Sequence, residues 1–414
     1  MNIRTYPSLL TAALFGMMLA SCVEPNPAKP WSTRDRSLTV IEVDEVHRSP
    51  QVIVIEEPSE AFSTDEPTRI SSEADDWMAE ALVVVEVVEP VRPLVAAPVV
   101  LTGTTPAARA TSWLLQAVTY PEAVIRANAF EALEGNPVAL YEVAPLGFID
   151  ENRGVRFIAT MSVGDAGLDN LAALIEPLIM DPSDSVRASA IYALHALGQP
   201  VDPSPLAGMV FSNSPEIRGN AYLVLGLMGN STAIPVIKAN LGNGMRLENA
   251  MRVRLTELQA AEAMVRLGDE DSIEPIRAAL FTPVEQGELT VLACDMLGRL
   301  GDEQARSMLF RLIIASGKQS RPPEIQMAAA AALFRLGPPL PEQLSAVVLS
   351  QVNARDLRRR VQAAAILGIV PGPEALTALE GLLTDAEPMV RTAAAGSILS
   401  RTDSWGSATA IVPD

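Results

Sequence analysis

Side chains suited to nucleophilic or metal chemistry are scarce in this 414-residue chain, whose cysteines are Cys22 and Cys294 and whose histidines are His47 and His195. A metal centre needs three or four such ligands at short spacing, and an activated nucleophile needs a base within reach. The sequence offers neither. No H-E-x-x-H, G-x-S-x-G or clustered-cysteine pattern occurs. Ser316-Gly-Lys318 lacks the upstream glycine and following hydroxyl of a phosphate loop. The expectation is a chain with no catalytic residues, no metal and no cofactor, hence not an enzyme. Cys294, inside Leu292-Ala-Cys-Asp-Met-Leu297, reads as a small buried hydrophobe. What remains is arginine. Arg355-Asp-Leu-Arg-Arg-Arg360 gathers positive charge at a predicted helix start, and Arg355, Arg358 and Arg359 are candidate contacts for an acidic partner. A second set, Arg246, Arg252, Arg254 and Arg266, alternates with Glu248, Glu257 and Glu262. Its i, i+3 and i, i+4 spacings predict a salt-bridged, exposed helix face.

The elements that position these residues repeat. Asp181-Pro-Ser-Asp-Ser-Val-Arg-Ala-Ser-Ala-Ile-Tyr-Ala-Leu-His-Ala-Leu-Gly198 reads as a polar turn, an alanine-rich helix and a glycine stop. Taking Arg187 as an anchor, the corresponding residues are Arg126, Arg156, Arg218, Glu257, Thr290, Gln326, Arg360 and Arg391. Their separations, 30 to 39 residues, lie in the range of solenoid repeats. Alanine stands three residues after every anchor, from Ala129 to Ala394, and an aliphatic residue or Met four further on. These positions make one apolar stripe on a helix. Alanine in the middle of the stripe admits a close neighbour. Gly198, Gly229, Gly268, Gly301 and Gly337 supply helix stops. A shorter helical segment precedes each anchored helix, so the unit is a helical hairpin that must stack on its neighbours.

The phrase Asp-x-x-x-Val-Arg-x-x-Ala-x-x-Ala-Leu-x-x-Leu-Gly resembles the bacterial HEAT repeat, including that of phycobilisome-lyase-like HEAT proteins. The resemblance covers about 107–402, is clean at 150–229 and 360–398, and is degenerate at 246–337. It implies an all-α superhelix of about nine hairpins with a concave inner face. It also implies that the anchor arginines Arg126, Arg156, Arg187, Arg218 and Arg391 tie neighbouring units together. The signature Trp, Gly, Tyr and Pro positions of tetratricopeptide repeats are missing.

Ahead of the repeats, residues 1–21 read as a signal segment, with Arg4 followed by an apolar run from Leu9 to Leu19. Leu19-Ala-Ser-Cys22 resembles the lipobox of bacterial lipoproteins. By that resemblance Cys22 is the site of lipid attachment, and Val23 after it favours the outer over the inner membrane. Residues 22–106 form a proline-rich acidic stretch, with 16 Asp and Glu against 6 Lys and Arg over 23–106, which reads as a disordered tether. Residues 403–414 read as a tail. A net charge of −19 excludes nucleic acid, which requires a basic footprint. The expected function is a scaffold, lipid-anchored in the cell envelope and facing the periplasm, whose concave face binds another envelope protein. The alternatives are an enzyme or enzyme subunit of the lyase-like HEAT type and a self-associating structural envelope protein.

Overall fold

The computed structural model describes residues 100–242 and 249–401. Cys22, the tether and the C-terminal tail lie outside the described residues, as do Arg246 and Glu248. Within them are eighteen α-helices and no strand. Paired in order, the helices make nine hairpins. The first helices of the hairpins are α1 (Pro106–Ala117), α3 (Pro137–Phe148), α5 (Ala172–Ile175), α7 (Ser204–Val210), α9 (Ile234–Asn240), α11 (Glu274–Ala279), α13 (Arg306–Ile314), α15 (Leu344–Leu349) and α17 (Pro373–Leu382). Their partners are α2 (Ala123–Ala132), α4 (Arg153–Asp165), α6 (Asp184–Ala196), α8 (Pro215–Met228), α10 (Ala250–Arg266), α12 (Gly287–Leu300), α14 (Pro323–Leu336), α16 (Leu357–Leu367) and α18 (Pro388–Ser400).

Local chemistry sets the helix ends. Thr105, Asn136 and Asn152 accept hydrogen bonds from first-turn amides, and proline occupies the first turn of α1, α3, α8, α14 and α18, where no N–H is needed. All five glycines expected as helix stops have positive φ, between 69° and 101°. Only glycine adopts that conformation without steric cost.

All nine anchors lie on the even-numbered helices, and each alanine three residues later is fully buried. The even helices pack side by side around the array, each against the next. At four seams the approach is close enough to require glycine eight residues after the anchor. A Cβ on Gly164, Gly226 or Gly298 would lie 2.8, 3.0 or 2.9 Å from the Cα of Ala193, Ala263 or Ala332 on the following helix. One on Gly368 would meet the hydroxyl of Ser397 at 3.1 Å.

The array closes on itself. Helix α18 packs against both α1 and α2. Trp113 Nε1 donates to Thr392 Oγ1 at 3.0 Å, Arg109 pairs with Glu380 at 2.6 Å, and Asn128 Nδ2 contacts Met389 Sδ at 3.6 Å. The expected solenoid is present, but its two ends cover one another instead of standing free. End-to-end self-association would have to displace that closure. A pocket of about 560 Å³ opens at the junction, between Thr111, Ser112 and Leu115 of α1, Leu399 of α18 and Arg401 just past it. The Arg401 guanidinium is held there by the carbonyls of Leu367 and Val370.

Candidate functional site

The anchor arginines act as joints. Arg126 donates to both carboxylate oxygens of Asp150 at 2.8 Å and to the carbonyls of Tyr120 and Pro121. Arg156 treats Asp181 and the carbonyls of Asp150 and Glu151 in the same way. Arg360 repeats the arrangement with Asp385. Each therefore fastens its own turn to the turn of the next hairpin, and the Asp in turn accepts from a backbone amide of its own turn. Where the next turn carries Ser212 in place of Asp, Arg187 bonds the Asp181 carbonyl and pairs with Asp184 of its own helix. These residues are spent on architecture.

The positions at which the repeats disagree carry charge. Five and nine residues after the anchor several copies have apolar or small residues, such as Met161, Leu223 and Ala365, or Ala196, Leu227 and Ile369, whereas α10, α12 and α14 have Glu262 and Arg266, Asp295 and Arg299, and Arg335. They form one chain of ion pairs across three helices. Arg266 donates to Glu262 at 2.9 Å, and Arg335 donates to Asp295 at 2.8 Å. Between them, Arg299 donates to both Glu262 oxygens at 2.9 and 2.8 Å and also pairs with Asp295. Glu262 and Asp295 are buried. Burial works to raise the Glu262 carboxyl, but Arg299 and Arg266 outweigh it and hold it below its ordinary range. The expected salt-bridged face is present in the Arg266–Glu262 pair, and Arg252 and Arg254 are exposed, but the expectation of full exposure fails at Glu262. That central acid points inward and is bridged to the next hairpin, because α10 packs on α12 through that face.

A second charged group lies on α2, α4 and α6. At the seam between α2 and α4 the residue eight after the anchor is Glu134, where the four close seams have glycine, and it faces Ser162. Ser162 Oγ is buried and has no well-formed hydrogen bond. Glu131 stands one turn earlier on the same side, and Asp165 accepts a hydrogen bond from the Tyr192 hydroxyl. Among the described residues no ion pair reaches Glu131, Glu134 or Asp165. Burial and then the Asp165 charge push the Glu131 and Glu134 carboxyls well above the carboxylate range. Burial likewise raises Asp165 against the opposing hydrogen bond from Tyr192, whose phenol is raised by the same enclosure. Asp165 is exposed and Glu131 and Glu134 are half-buried, so the group of three acids reaches the surface at Asp165. The three carboxyls therefore hold their protons above the ordinary carboxylate range. Among the described residues no group of His, Cys, Asp and Glu has the geometry to hold a metal ion.

The residues singled out in sequence fall elsewhere. Arg355 and Arg358 are exposed, just before and within the first turn of α16, while Arg359 is half-buried and pairs with Glu324 at 2.6 Å. His195 is exposed at the end of α6. Cys294 is buried, and burial pushes its thiol well up. The group of three acids was missed. Its signal was present, since Glu134 replaces a recurring glycine and Asp165 falls on an offset that is apolar or small in several copies.

Residues 258–282 match the PBS lyase HEAT-like repeat family. The match falls in the stretch that sequence reading placed among the degenerate copies. No curated protein matches the chain. Among solved structures the chain is similar to human deoxyhypusine hydroxylase in complex with glycerol, at 17% identity over 64% of this chain and 98% of that one, with a TM-score of 0.33. It is similar to the complex of CpcE and CpcF of phycocyanin lyase from Nostoc sp. PCC7120, at 17% identity over 62% of this chain and 96% of that one, TM-score 0.36. It is also similar to the karyopherin Kap121p bound to the SUMO protease Ulp1p, at 13% identity over 65% of this chain and 40% of that one, TM-score 0.26. These likenesses transfer no activity. They do correct the expectation that the chain is not an enzyme: a hydroxylase and a lyase are among the proteins it resembles, so missing familiar motifs exclude nothing. The chain is a HEAT-repeat helical solenoid.

Proposed function

We propose that this HEAT-repeat protein is an enzyme, or the substrate-gripping subunit of one, which receives a cationic group at Glu131, Glu134 and Asp165. The observation that carries the reading is the gathering of Glu131, Glu134 and Asp165 with no ion-pair partner among the described residues, Glu134 facing the buried Ser162 Oγ. A guanidinium or ammonium entering there supplies a counter-charge, and its N–H groups reach Ser162 as well. A carboxyl that keeps its proton beside a phenol is also the usual equipment of acid–base chemistry. The test uses agmatine, which carries both cations, titrated calorimetrically into the full chain. Binding that Glu134→Gln and Asp165→Asn each weaken at least tenfold supports the reading; wild-type affinity in both variants refutes it.

The cellular setting belongs to the same proposal. A lipid on Cys22 would hold the protein in the cell envelope on the periplasmic side, with the outer membrane favoured by Val23. A second reading, a scaffold for another envelope protein, is supported by the accessible arginines Arg355 and Arg358 in a chain of net charge −19. Together with Arg359 they would face an acidic partner. Crosslinking in native membranes tests it, through loss of one crosslinked band when Arg355 and Arg358 are changed to glutamate.

A further inference from the structure

Six consecutive hairpins, the second to the seventh, each carry a large apolar residue at the end of their first helical segment or one or two residues past it: Ile149, Met180, Phe211, Leu241, Phe281 and Ile314. All are exposed, by 39 to 84%. Isolated exposed hydrophobics are ordinary, but a contiguous series at one structural position is not. The position is the turn between the two helices of a hairpin, so the six residues lie along one edge of the closed array, which also carries the arginine-paired Asp150 and Asp181 and the exposed Glu151. The opposite edge, where each hairpin hands over to the next, carries Gly198, Gly229, Gly268 and Gly301 with Asp169, Asp269 and Asp302.

Two further features say what covers the apolar edge. First, the six residues share hydrophobicity and bulk but no shape, mixing branched, unbranched and aromatic side chains. A protein partner selects shape, whereas a lipid phase selects only apolarity. Second, the chain enters at the same edge. Val100, the first described residue and itself exposed, receives a hydrogen bond on its carbonyl from Gln116, in the last turn of α1, beside the turn of the first hairpin. The 99 residues ahead of it include the segment that would carry the lipid.

We propose that this edge is a membrane-docking surface, on which Met180, Phe211 and their counterparts enter the interfacial layer of a zwitterionic lipid bilayer. Contact is apolar, because a chain of net charge −19 gains nothing from anionic headgroups. The array then lies with its turn edge on the membrane and its glycine edge away. This goes beyond the cation-binding reading and does not require it.

The test uses the full, lipidated chain with phosphatidylcholine vesicles containing nitroxide-labelled lipid. A fluorophore is placed at Met180→Cys or, on the opposite edge, at Ser231→Cys; buried Cys294 does not compete for label. The expected result is quenching at position 180 at least fivefold stronger than at 231, and unchanged in about 0.5 M salt, where surface charges are screened. Introducing Phe211→Glu and Phe281→Glu together should remove most of that quenching. Equal or no quenching at the two positions overturns the proposal, whether or not the protein sediments with the vesicles. So does lipid-independent self-quenching at position 180, which assigns the edge to a second copy. The mass of the Cys22 peptide reports anchoring separately.

Discussion

The guanidinium carbon of Arg391, in the last helix, lies 4.2 Å from the centroid of the Trp113 ring, in the first. Arg126, Arg156 and Arg360 reach the aspartate of the next turn, whereas Arg391 bonds the Asp385 and Ala386 carbonyls of its own turn and stacks on the first hairpin. Trp113 is almost wholly buried, and its indole N–H is satisfied by Thr392. Cation–π stacking of this kind is worth about 1–2 kcal/mol once desolvated. The joint motif of the repeats is thereby reused as the clasp of the array.

Trp113→Ala should open the clasp. Loss of a large buried aromatic costs about 3–5 kcal/mol, and the detached ends should raise the radius of gyration in small-angle scattering. A destabilised variant with unchanged dimensions would show that closure survives without the indole.

Gly298→Val should be destabilising by about 1–3 kcal/mol or more, because the new side chain meets the backbone of Ala332. Gly208→Ala is the contrast. Nothing lies within 4 Å of its added carbon, and in helix α7 alanine should stabilise by roughly 0.5–1 kcal/mol. Urea midpoints of the two variants moving in opposite directions would establish glycine at the seams as a packing requirement.

Much of this was readable in advance. Arg126, Arg156 and Arg360 recur at solenoid spacing, and their alanine partners are buried as the stripe predicts. Closure was not readable, because nothing in a repeat of 30 to 39 residues states how much each hairpin turns relative to the last. The acidic group escaped for a different reason. Glu131, Glu134 and Asp165 come from two hairpins and look like ordinary surface acids until the seam between α2 and α4 brings them together.

The acidic group gives stability a definite pH dependence. Glu131, Glu134 and Asp165 bind protons more tightly folded than unfolded, so the folded state holds extra protons above the ordinary carboxylate range. Their contribution to stability therefore falls as pH rises through the window between the unfolded and the raised folded values. Melting temperature should be higher at mildly acidic than at alkaline pH, and the double variant Glu131→Gln, Glu134→Gln should flatten that slope. An unchanged slope would place the protons elsewhere.

Arg299→Met should be among the most damaging single changes, since it removes the arginine shared by the buried Glu262 and Asp295 and leaves each with one partner, Arg266 or Arg335. Removing one partner of such a network costs about 3–5 kcal/mol. Adding Glu262→Gln to it should recover part of the loss. Denaturant titration of the single and double variants measures the coupling directly.

Cys22→Ala should release the protein from membranes in detergent-free fractionation if lipid attachment is the dominant hold. Retention of the variant in the membrane fraction would shift that role to the apolar edge or to a partner.

Closure also imposes an order of events on biosynthesis. Trp113 belongs to the first hairpin to be made, yet its cover, Arg391 and Thr392, is among the last parts of the chain to emerge. Until then the nascent protein shows an uncovered indole and an unfinished helical surface, which is the kind of feature that chaperones hold. Any chain cut short before α18 keeps that feature permanently. The clasp thus distinguishes a finished molecule from an incomplete one.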